Sequence, residues 1–203
     1  MKLGEYERVT DTHVYFLKGP LSQWYPSPFK CNSYFHVIQN WCGRIYDFRN
    51  CEQWMMYNKA ILMGDYKIAQ IILNDHSPSS VKKLGRKIKP FDQSIWDLLK
   101  LDIVVEGNYW KFNGYGNSHF KDFLISTGNR TLVEVNPEDS VWGIGLAQDD
   151  DLILDEANWK GENLLGKALM KVRDSYMNSE HRDIRNRLIA EVIRPIDSQR
   201  RGL

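Results

Sequence analysis

The sequence predicts one α+β domain in which helix predominates over a few short strands, and three observations support that class. Apolar segments with helical spacing outnumber the short alternating segments that are typical of strands. Capping residues and glycines separate these segments at intervals that suit helices of ordinary length. The chain has 203 residues, 42% of them hydrophobic and 26% charged, which is enough apolar material for one core.

The strands are predicted mainly in the first quarter of the chain. Residues 12–17, THVYFL, alternate as a strand does, whereas residues 18–30 contain three prolines and are predicted as an extended loop. Residues 33–48 are predicted as a β-hairpin with a turn at Cys42-Gly43. One further short strand, TLVEV, is predicted at residues 131–135.

The remaining elements are predicted as helices. The first begins after a capping Asn50 and ends near Gly64, and a later one has Ser77 as its cap with Pro78 in the first helical position. Five helices are predicted after Gly64: residues 65–73, 77–86, 92–112, 119–127 and 162–177. Residues 149–156 carry an acidic run and are predicted as a solvated loop. We assign residues 1–177 to one domain and residues 178–203 to an arginine-rich tail that packs on the domain or extends from it.

Composition excludes several classes of function. Lys and Arg total 27 against 26 for Asp and Glu, so the chain has no large net charge to attract a nucleic acid. A nucleic acid would have to bind at a local basic patch or in a pocket. The three cysteines have no CxxC spacing, which predicts free thiols and neither a disulfide framework nor a metal site. The N-terminus lacks a signal-peptide core, and no apolar run is long enough to span a membrane. We therefore expect a cytoplasmic protein that uses no metal and no cofactor.

The helix at residues 50–64 carries two charges on an apolar surface. Glu52 and Lys59 are seven residues apart, so at about 100° per residue they project from nearly the same face. Exposed placement at the helix edge is one interpretation. The helix offers almost no polar face, however, and burial of such charges is costly unless they have partners or a function. The pair is therefore our first candidate for a catalytic site.

Three further segments have the chemistry of a nucleotide pocket. In VWGIGL, residues 141–146, Gly143 permits close backbone approach to a ligand, Trp142 can stack on a ring, and Asp139 lies just upstream. Asn163 lies at the start of a predicted helix, and this position is equally consistent with a phosphate-binding site and with an ordinary helix cap. Residues 82–90 place five cations in nine positions, which indicates either a phosphate clamp or a solvated basic surface.

The order of the motifs resembles that of the NADAR superfamily, also called YbiA-like proteins. The resemblance runs from about residue 16 to residue 173. The matching segments, in order, are LSQWYPSPF, CEQWMMYNKAILMGD, SPSSVKKLGR, SIWDLL, GNYWKF, STG, LVE, DSVWGIGL and NWKGENLLGKALMKVR.

This resemblance implies a mainly helical α+β fold and hydrolysis of the bond between a ribose anomeric carbon and a nitrogen. It implies Glu52, Lys59 and Asp139 as catalytic residues. Glu52 would stabilise an oxocarbenium-like state or act as acid and base, and Lys59 would protonate the leaving nitrogen, orient water or attack the anomeric carbon. The predicted substrate-binding residues are Ser22, Trp24, Phe29, Arg86, Trp110, Trp142, Gly143, Asn163 and Gly166. Among these, Trp110 and Trp142 are expected to stack on base or sugar, and Arg86 and Asn163 to hold phosphates.

Two substrates are implied by the family, and we rank them. Removal of ADP-ribose from guanine in DNA comes first, with a DNA ADP-ribosyltransferase toxin as a functional counterpart. Cleavage of phosphoribosylamino-pyrimidine intermediates of riboflavin synthesis comes second. The short enzymes of that pathway tend to have Glu-His and WGDG, where this chain has Glu52-Gln53 and WGIG. A non-catalytic sensor of ADP-ribose or NAD is the alternative from another class.

Overall fold

The structure is a computed structural model that describes residues 2–32, 45–114 and 116–177. It confirms the predicted class, since helices make up most of the regular structure. Within these residues there are five strands: β1 (Arg8–Val9), β2 (His13–Phe16), β3 (Phe29–Asn32), β4 (Ile45–Phe48) and β5 (Thr131–Glu134). The helices are α1 (Cys51–Met63), α2 (Tyr66–Asn74), α3 (Pro78–Gly85), α4 (Gln93–Asn113), α5 (Ser118–Ser126) and α6 (Leu164–Met177).

The strands form two small sheets. In the first, β2 lies between β1, to which it is antiparallel, and β5, to which it is parallel, with Phe16 opposite Glu134. In the second, β3 and β4 pair antiparallel, with Phe29 opposite Phe48. The prediction of a loop throughout residues 18–30 is therefore wrong at its end, because backbone pairing with β4 extends Phe29 and Lys30 into a strand. The proposed hairpin turn at Cys42-Gly43 lies outside the described residues.

The α1 helix is the centre of the core. Every residue from Cys51 to Met63 except Lys59 is buried, and the helix packs against α2, α3 and α4. Asn50 caps it by accepting the backbone N–H of Gln53, and Gly64 ends it in the left-handed region at φ 80°. Both ends were predicted, because these capping interactions are local.

The predicted cap of α3 is also confirmed, and the predicted start of α4 at Asp92 has a cap as well. Ser77 accepts the N–H of Ser80 at the start of α3, and Asp92 accepts those of Ser94 and Ile95 at the start of α4. The α6 helix then packs on both α4 and β5, which joins the first sheet to the helical core.

The acidic segment forms two 3₁₀ turns, Asp151–Leu154 and Glu156–Asn158, in place of an irregular loop. The side chains of Asp150 and Asp155 cap these turns by accepting backbone N–H groups. Most of the segment is exposed, as expected. The assignment of residues 178–203 to a tail concerns a part of the chain outside the described residues, so the domain boundary stays a prediction.

Candidate active site

A cavity of about 470 Å³ lies between the loop at residues 17–26, the first turns of α1 and the segment that follows β5. This volume is in the range of pockets that bind nucleotides and other small molecules. Its lining residues are Leu17, Lys18, Gly19, Ser22, Gln23, Trp24, Tyr25, Pro26, Glu52, Met55, Met56, Lys82, Glu134, Asn136, Asp139 and Trp142.

Glu52 supplies a carboxyl group to the cavity from the first turn of α1. Its backbone N–H donates to the carbonyl of Gln23 at 3.2 Å, and its side chain is only 3% exposed. Burial raises the pKa of this carboxyl from 4.5 to about 7, while the Lys82 ammonium and a hydrogen bond from Trp24 oppose the rise. Its Oε1 atom has no hydrogen-bond partner among the described residues. Glu52 is thus poised to change its protonation state near neutrality.

Glu134, at the end of β5, supplies a second carboxyl group. Burial, together with the nearby carboxylates of Asp139 and Glu52, raises the pKa of this group to about 8, against the opposing effect of Lys82. Its Oε2 atom also lacks a partner within the described part of the chain. Two buried carboxyl groups with unequal surroundings therefore face one cavity.

Asp139 and Lys82 form the charged side of the cavity. The Oδ1 atom of Asp139 accepts the backbone N–H groups of Val141 and Trp142, at 3.1 Å and 2.9 Å. Its Oδ2 atom lies 3.5 Å from the Nζ atom of Lys82. The aspartate therefore fixes the turn that carries Trp142 and holds a lysine beside the two glutamates.

The loop at residues 17–26 is held from behind by α4. Lys111 is fully buried, and its Nζ atom donates to the carbonyl of Ser22 at 2.9 Å. Burial lowers the pKa of this amine to about 8, with the Cys51 thiol opposing the shift. Next to Ser22, the Nε2 atom of Gln23 lies 3.5 Å from Met55 Sδ, whereas its Oε1 atom has no partner among the described residues.

Five of the predicted site residues meet at the cavity: Ser22, Trp24, Glu52, Asp139 and Trp142. Trp24 is 44% exposed and so stands at the mouth. Its side chain also favours the ionised form of Glu52 through a hydrogen bond that lowers the pKa of this carboxyl, so the tryptophan acts on the glutamate in addition to offering a ring.

Lys59 and Arg86 are not among the cavity residues. The Nζ atom of Lys59 lies 4.4 Å from the ring centroid of Phe91 and 5.2 Å from that of Trp96. Burial lowers the pKa of Lys59. The charge of Glu52 opposes this shift, and the charge of Arg86 adds to it. Arg86 is exposed at the end of α3. The predicted Glu/Lys stripe is therefore divided between two environments.

Two predicted aromatic residues also lie away from the cavity. Phe29 is 3% exposed and stacks on Phe48 in the core, with ring centroids 5.7 Å apart. Trp110 donates its indole N–H to Glu106 one turn earlier in α4, at 2.8 Å. These contacts give both rings a packing role in this structure.

Asn163, Gly143 and Gly166 join the backbone around the cavity without lining it. Asn163 has a positive φ of 53°, and its amide bridges two residues of β5, accepting from Glu134 N–H at 3.0 Å and donating to Leu132 O at 2.9 Å. A Cβ atom on Gly166 would lie 2.0 Å from the carbonyl oxygen of Leu132, and one on Gly143 would lie 2.9 Å from that of Glu134. Close packing of α6 on β5 accounts for Asn163 and Gly166, and the close approach of Gly143 to the end of β5 accounts for that glycine.

Glu134 and Gln23 lie in matched motifs but were not predicted as site residues, and Lys82 was treated only as part of a basic segment. Alternation in TLVEV gave no reason to bury a glutamate, because that burial depends on the pairing with β2 and the cover of α6. The sequence did contain a signal for Lys82. This lysine lies one turn into α3 and directly follows Val81, an apolar residue that is buried.

The described ranges contain no helix with the length and hydropathy needed to cross a membrane. Within the same ranges, no group of three or more His, Cys, Asp or Glu side chains is arranged to hold a metal ion.

Comparisons with known proteins found one matching family and several similar chains. A family model described as "NADAR domain" matches residues 13–177. An N-glycosidase, R617, of Acanthamoeba polyphaga mimivirus is 40% identical over 153 residues, which cover 75% of this chain and 85% of the relative. Protein irg-1 of Caenorhabditis elegans is 33% identical over 175 residues, which cover 84% of this chain and 82% of irg-1. The solved structure of E. coli YbiA shares the fold, with a TM-score of 0.62 at 22% identity over 88% of this chain and 92% of that one.

Proposed function

The chain belongs to the NADAR domain family and is an enzyme that acts on N-glycosyl bonds, and on that premise we propose that it removes ADP-ribose from guanine in nucleic acid. The observation that carries this proposal is a set of three buried acceptors at one cavity. Gln23 Oε1, Glu52 Oε1 and Glu134 Oε2 all lack partners among the described residues. Buried acceptors without partners are costly, so they favour a ligand rich in donors.

An ADP-ribosylated guanine has such donors. The guanine edge offers N–H groups at N1 and N2, and the ribose offers hydroxyl groups, all at the centre where the bond must be cleaved. Lys18 and Lys82 give the cavity two cations that suit a diphosphate, and Trp24 at the mouth suits a stacked base. The proposed substrate also implies a DNA ADP-ribosyltransferase that produces it, consistent with a toxin as counterpart.

Glu52 is the group proposed to act on the sugar. Cleavage of an N-glycosyl bond develops positive charge at the anomeric carbon, and a carboxylate beside that carbon stabilises the charge. A buried cavity strengthens this interaction because it excludes water. The same carboxylate can then accept a proton from the water that attacks the anomeric carbon. This chemistry distinguishes a hydrolase from the non-catalytic sensor.

A phosphoribosylamino-pyrimidine is the second candidate substrate. The cavity of about 470 Å³ has room for the whole of such a molecule, and its amino groups also match the three acceptors. The two candidate substrates differ in what projects from the mouth of the cavity. The ADP-ribosylated guanine leaves its adenosine diphosphate and the nucleic acid outside, whereas the phosphoribosylamino-pyrimidine leaves nothing outside.

The substrate is tested with an oligonucleotide that carries ADP-ribosylated guanine, in parallel with a phosphoribosylamino-pyrimidine. We expect the protein to release ADP-ribose and restore guanine, both followed by mass spectrometry, and the Glu52→Gln variant to do neither. Release of ribose phosphate from the pyrimidine with an untouched oligonucleotide would replace the first candidate by the second.

Lys82 is predicted to contribute more to turnover than Lys59. Lys82→Met should lower kcat/KM by about 100-fold, because it removes the cation that holds down the pKa of Glu52 and lies beside Asp139. The loss of that cation raises the pKa of Glu52, so the fall should be deepest at acidic pH. Lys83→Met is the matched control, since Lys83 is the exposed neighbour in the same helix.

Steady-state kinetics of Lys82→Met, Lys83→Met and Lys59→Met decide between the two lysines. We expect a change of less than about threefold in Lys83→Met and less than about tenfold in Lys59→Met. If Lys59→Met loses more kcat/KM than Lys82→Met does, Lys59 and not Lys82 is the lysine that matters for turnover.

A further inference from the structure

Two buried carboxyl groups face the same cavity from different elements. Glu52 comes from the first turn of α1, and Glu134 comes from the last position of β5. Each is less than one-tenth exposed, and each has one oxygen without a hydrogen-bond partner in the described part of the chain. A pair of carboxyl groups beside a scissile glycosyl bond can divide acid and base work between them.

Their surroundings are unequal in a way that assigns the roles. Lys82, a hydrogen bond from the Trp24 side chain and Lys59 favour the ionised form of Glu52, and Asp139 is the one carboxylate among the named causes that opposes it. Glu134 has Lys82 as its one favourable charge and faces the carboxylates of Asp139 and Glu52. Because like charges in one cavity do not ionise together, Glu134 is the member that keeps its proton.

The backbone of Glu134 is held on two sides, which fixes where its side chain begins. Its N–H donates to Asn163 Oδ1 at 3.0 Å, and its carbonyl accepts the N–H of Ile144 at 2.9 Å. It also stands opposite Phe16 in the parallel pairing of β5 with β2. A group held in this way can deliver a proton to a defined point in the cavity.

We propose that Glu134 is the general acid of this site, donating its proton to the leaving nitrogen while Glu52, as carboxylate, faces the anomeric carbon. The assignment rests on the proposed function, hydrolysis of an N-glycosyl bond in this cavity. It adds a second catalytic residue, which acts on the leaving nitrogen whereas Glu52 acts on the anomeric carbon.

In the first step the bond between the anomeric carbon and the nitrogen breaks, and its electron pair stays on nitrogen. The proton of the Glu134 carboxyl passes to that nitrogen, which leaves as a neutral amine, and Glu134 becomes a carboxylate. Water then forms a bond to the anomeric carbon and loses a proton to Glu52. Transfer of that proton back to Glu134 through solvent restores both groups, so the sum is one N-glycoside plus water giving amine plus sugar hydroxyl.

The test compares the wild type with Glu134→Gln, which keeps a hydrogen-bond donor but has no proton to give. The wild-type profile of kcat/KM against pH should be bell-shaped, rising near pH 7 as Glu52 ionises and falling near pH 8 as Glu134 loses its proton. Glu134→Gln should be about 100-fold slower and should lack the alkaline fall. Glu138→Gln, an exposed glutamate four residues away, should match the wild type in both respects.

Retention of the alkaline fall in Glu134→Gln, or activity within about threefold of the wild type, would overturn the assignment. The kinetics are run on both the ADP-ribosylated oligonucleotide and the phosphoribosylamino-pyrimidine. If only the second substrate is cleaved, the proposed nucleic-acid function fails while the assignment of Glu134 is still decided on that substrate.

A measurement without substrate tests the assignment of Glu134 if neither substrate is cleaved. Carbon-13 NMR titration of the glutamate carboxyl groups should show one that titrates near pH 8 in the wild type and is missing in Glu134→Gln. If no carboxyl titrates in that range, Glu134 is ionised at neutral pH and is not the acid.

Discussion

Replacement of Glu52 by glutamine is expected to lower kcat/KM by about 1,000-fold while making the folded protein more stable at alkaline pH. Glutamine has almost the same shape but no negative charge, so it cannot stabilise charge at the anomeric carbon or accept a proton from water. The kinetic loss is measured on whichever N-glycoside the wild type cleaves. Glu162→Gln, at an exposed position, serves as the control.

The stability change follows from the raised pKa of Glu52. In the folded state the carboxyl ionises near pH 7, against 4.5 ordinarily, so between these values the unfolded chain releases a proton that the folded chain keeps. The wild type therefore loses about 3 kcal/mol of stability through Glu52 as pH rises through that window. The glutamine variant lacks this contribution, whereas the similar contribution of Glu134 is present in both proteins.

Urea unfolding of the wild type and Glu52→Gln at acidic and alkaline pH measures this difference. The two proteins should be equally stable below about pH 4 and should differ most above about pH 8. A variant that is inactive because it is less stable at every pH would assign Glu52 to the architecture and not to the chemistry.

Replacement of Asn163 by alanine is expected to lower the free energy of unfolding by about 3 kcal/mol. The amide makes two buried hydrogen bonds to the backbone of β5, and their loss leaves the Glu134 N–H and the Leu132 carbonyl without these partners. Alanine must also adopt the positive φ of 53°, which asparagine tolerates better than alanine.

Asn163→Gly separates the two contributions. Glycine also removes the amide but accepts the positive φ without strain, so it should be about 1 kcal/mol more stable than Asn163→Ala. Thermal and urea unfolding of the three proteins give the comparison. If Asn163→Ala is as stable as the wild type but binds adenosine diphosphate ribose more weakly, the amide is a phosphate ligand, as the sequence first suggested.

Local interactions explain what was predictable from the sequence. Asn50, Ser77 and Asp92 bond to N–H groups two or three residues away, so their patterns fix where α1, α3 and α4 begin. Glu52 was identifiable because a carboxyl group in a helix without a polar face must either be solvated or have a function. The motif around Asp139 and Trp142 is equally local, since one aspartate oxygen closes the turn.

What depends on tertiary packing was not predictable in the same way. Glu52 and Lys59 do share a direction on α1, but seven residues also advance the helix by about 10 Å, so each meets a different neighbour. Glu52 meets the loop at residues 17–26, whereas Lys59 meets Phe91 and Trp96. Equal angle on a helix does not give equal surroundings, and no pattern within α1 contains that information.

The buried Lys111 has a consequence for the energetics of binding. Its bond to Ser22, the bond from Glu52 N–H to Gln23 and the bond from Ser27 N–H to Arg49 hold the loop that forms one wall of the cavity. The conformational entropy of that wall is therefore lost when the protein folds and not when the substrate arrives. A preorganised wall leaves more of the substrate's binding energy for lowering the barrier to bond cleavage. We therefore expect the rate of the reaction to depend partly on Lys111, an amine that is not among the residues lining the cavity.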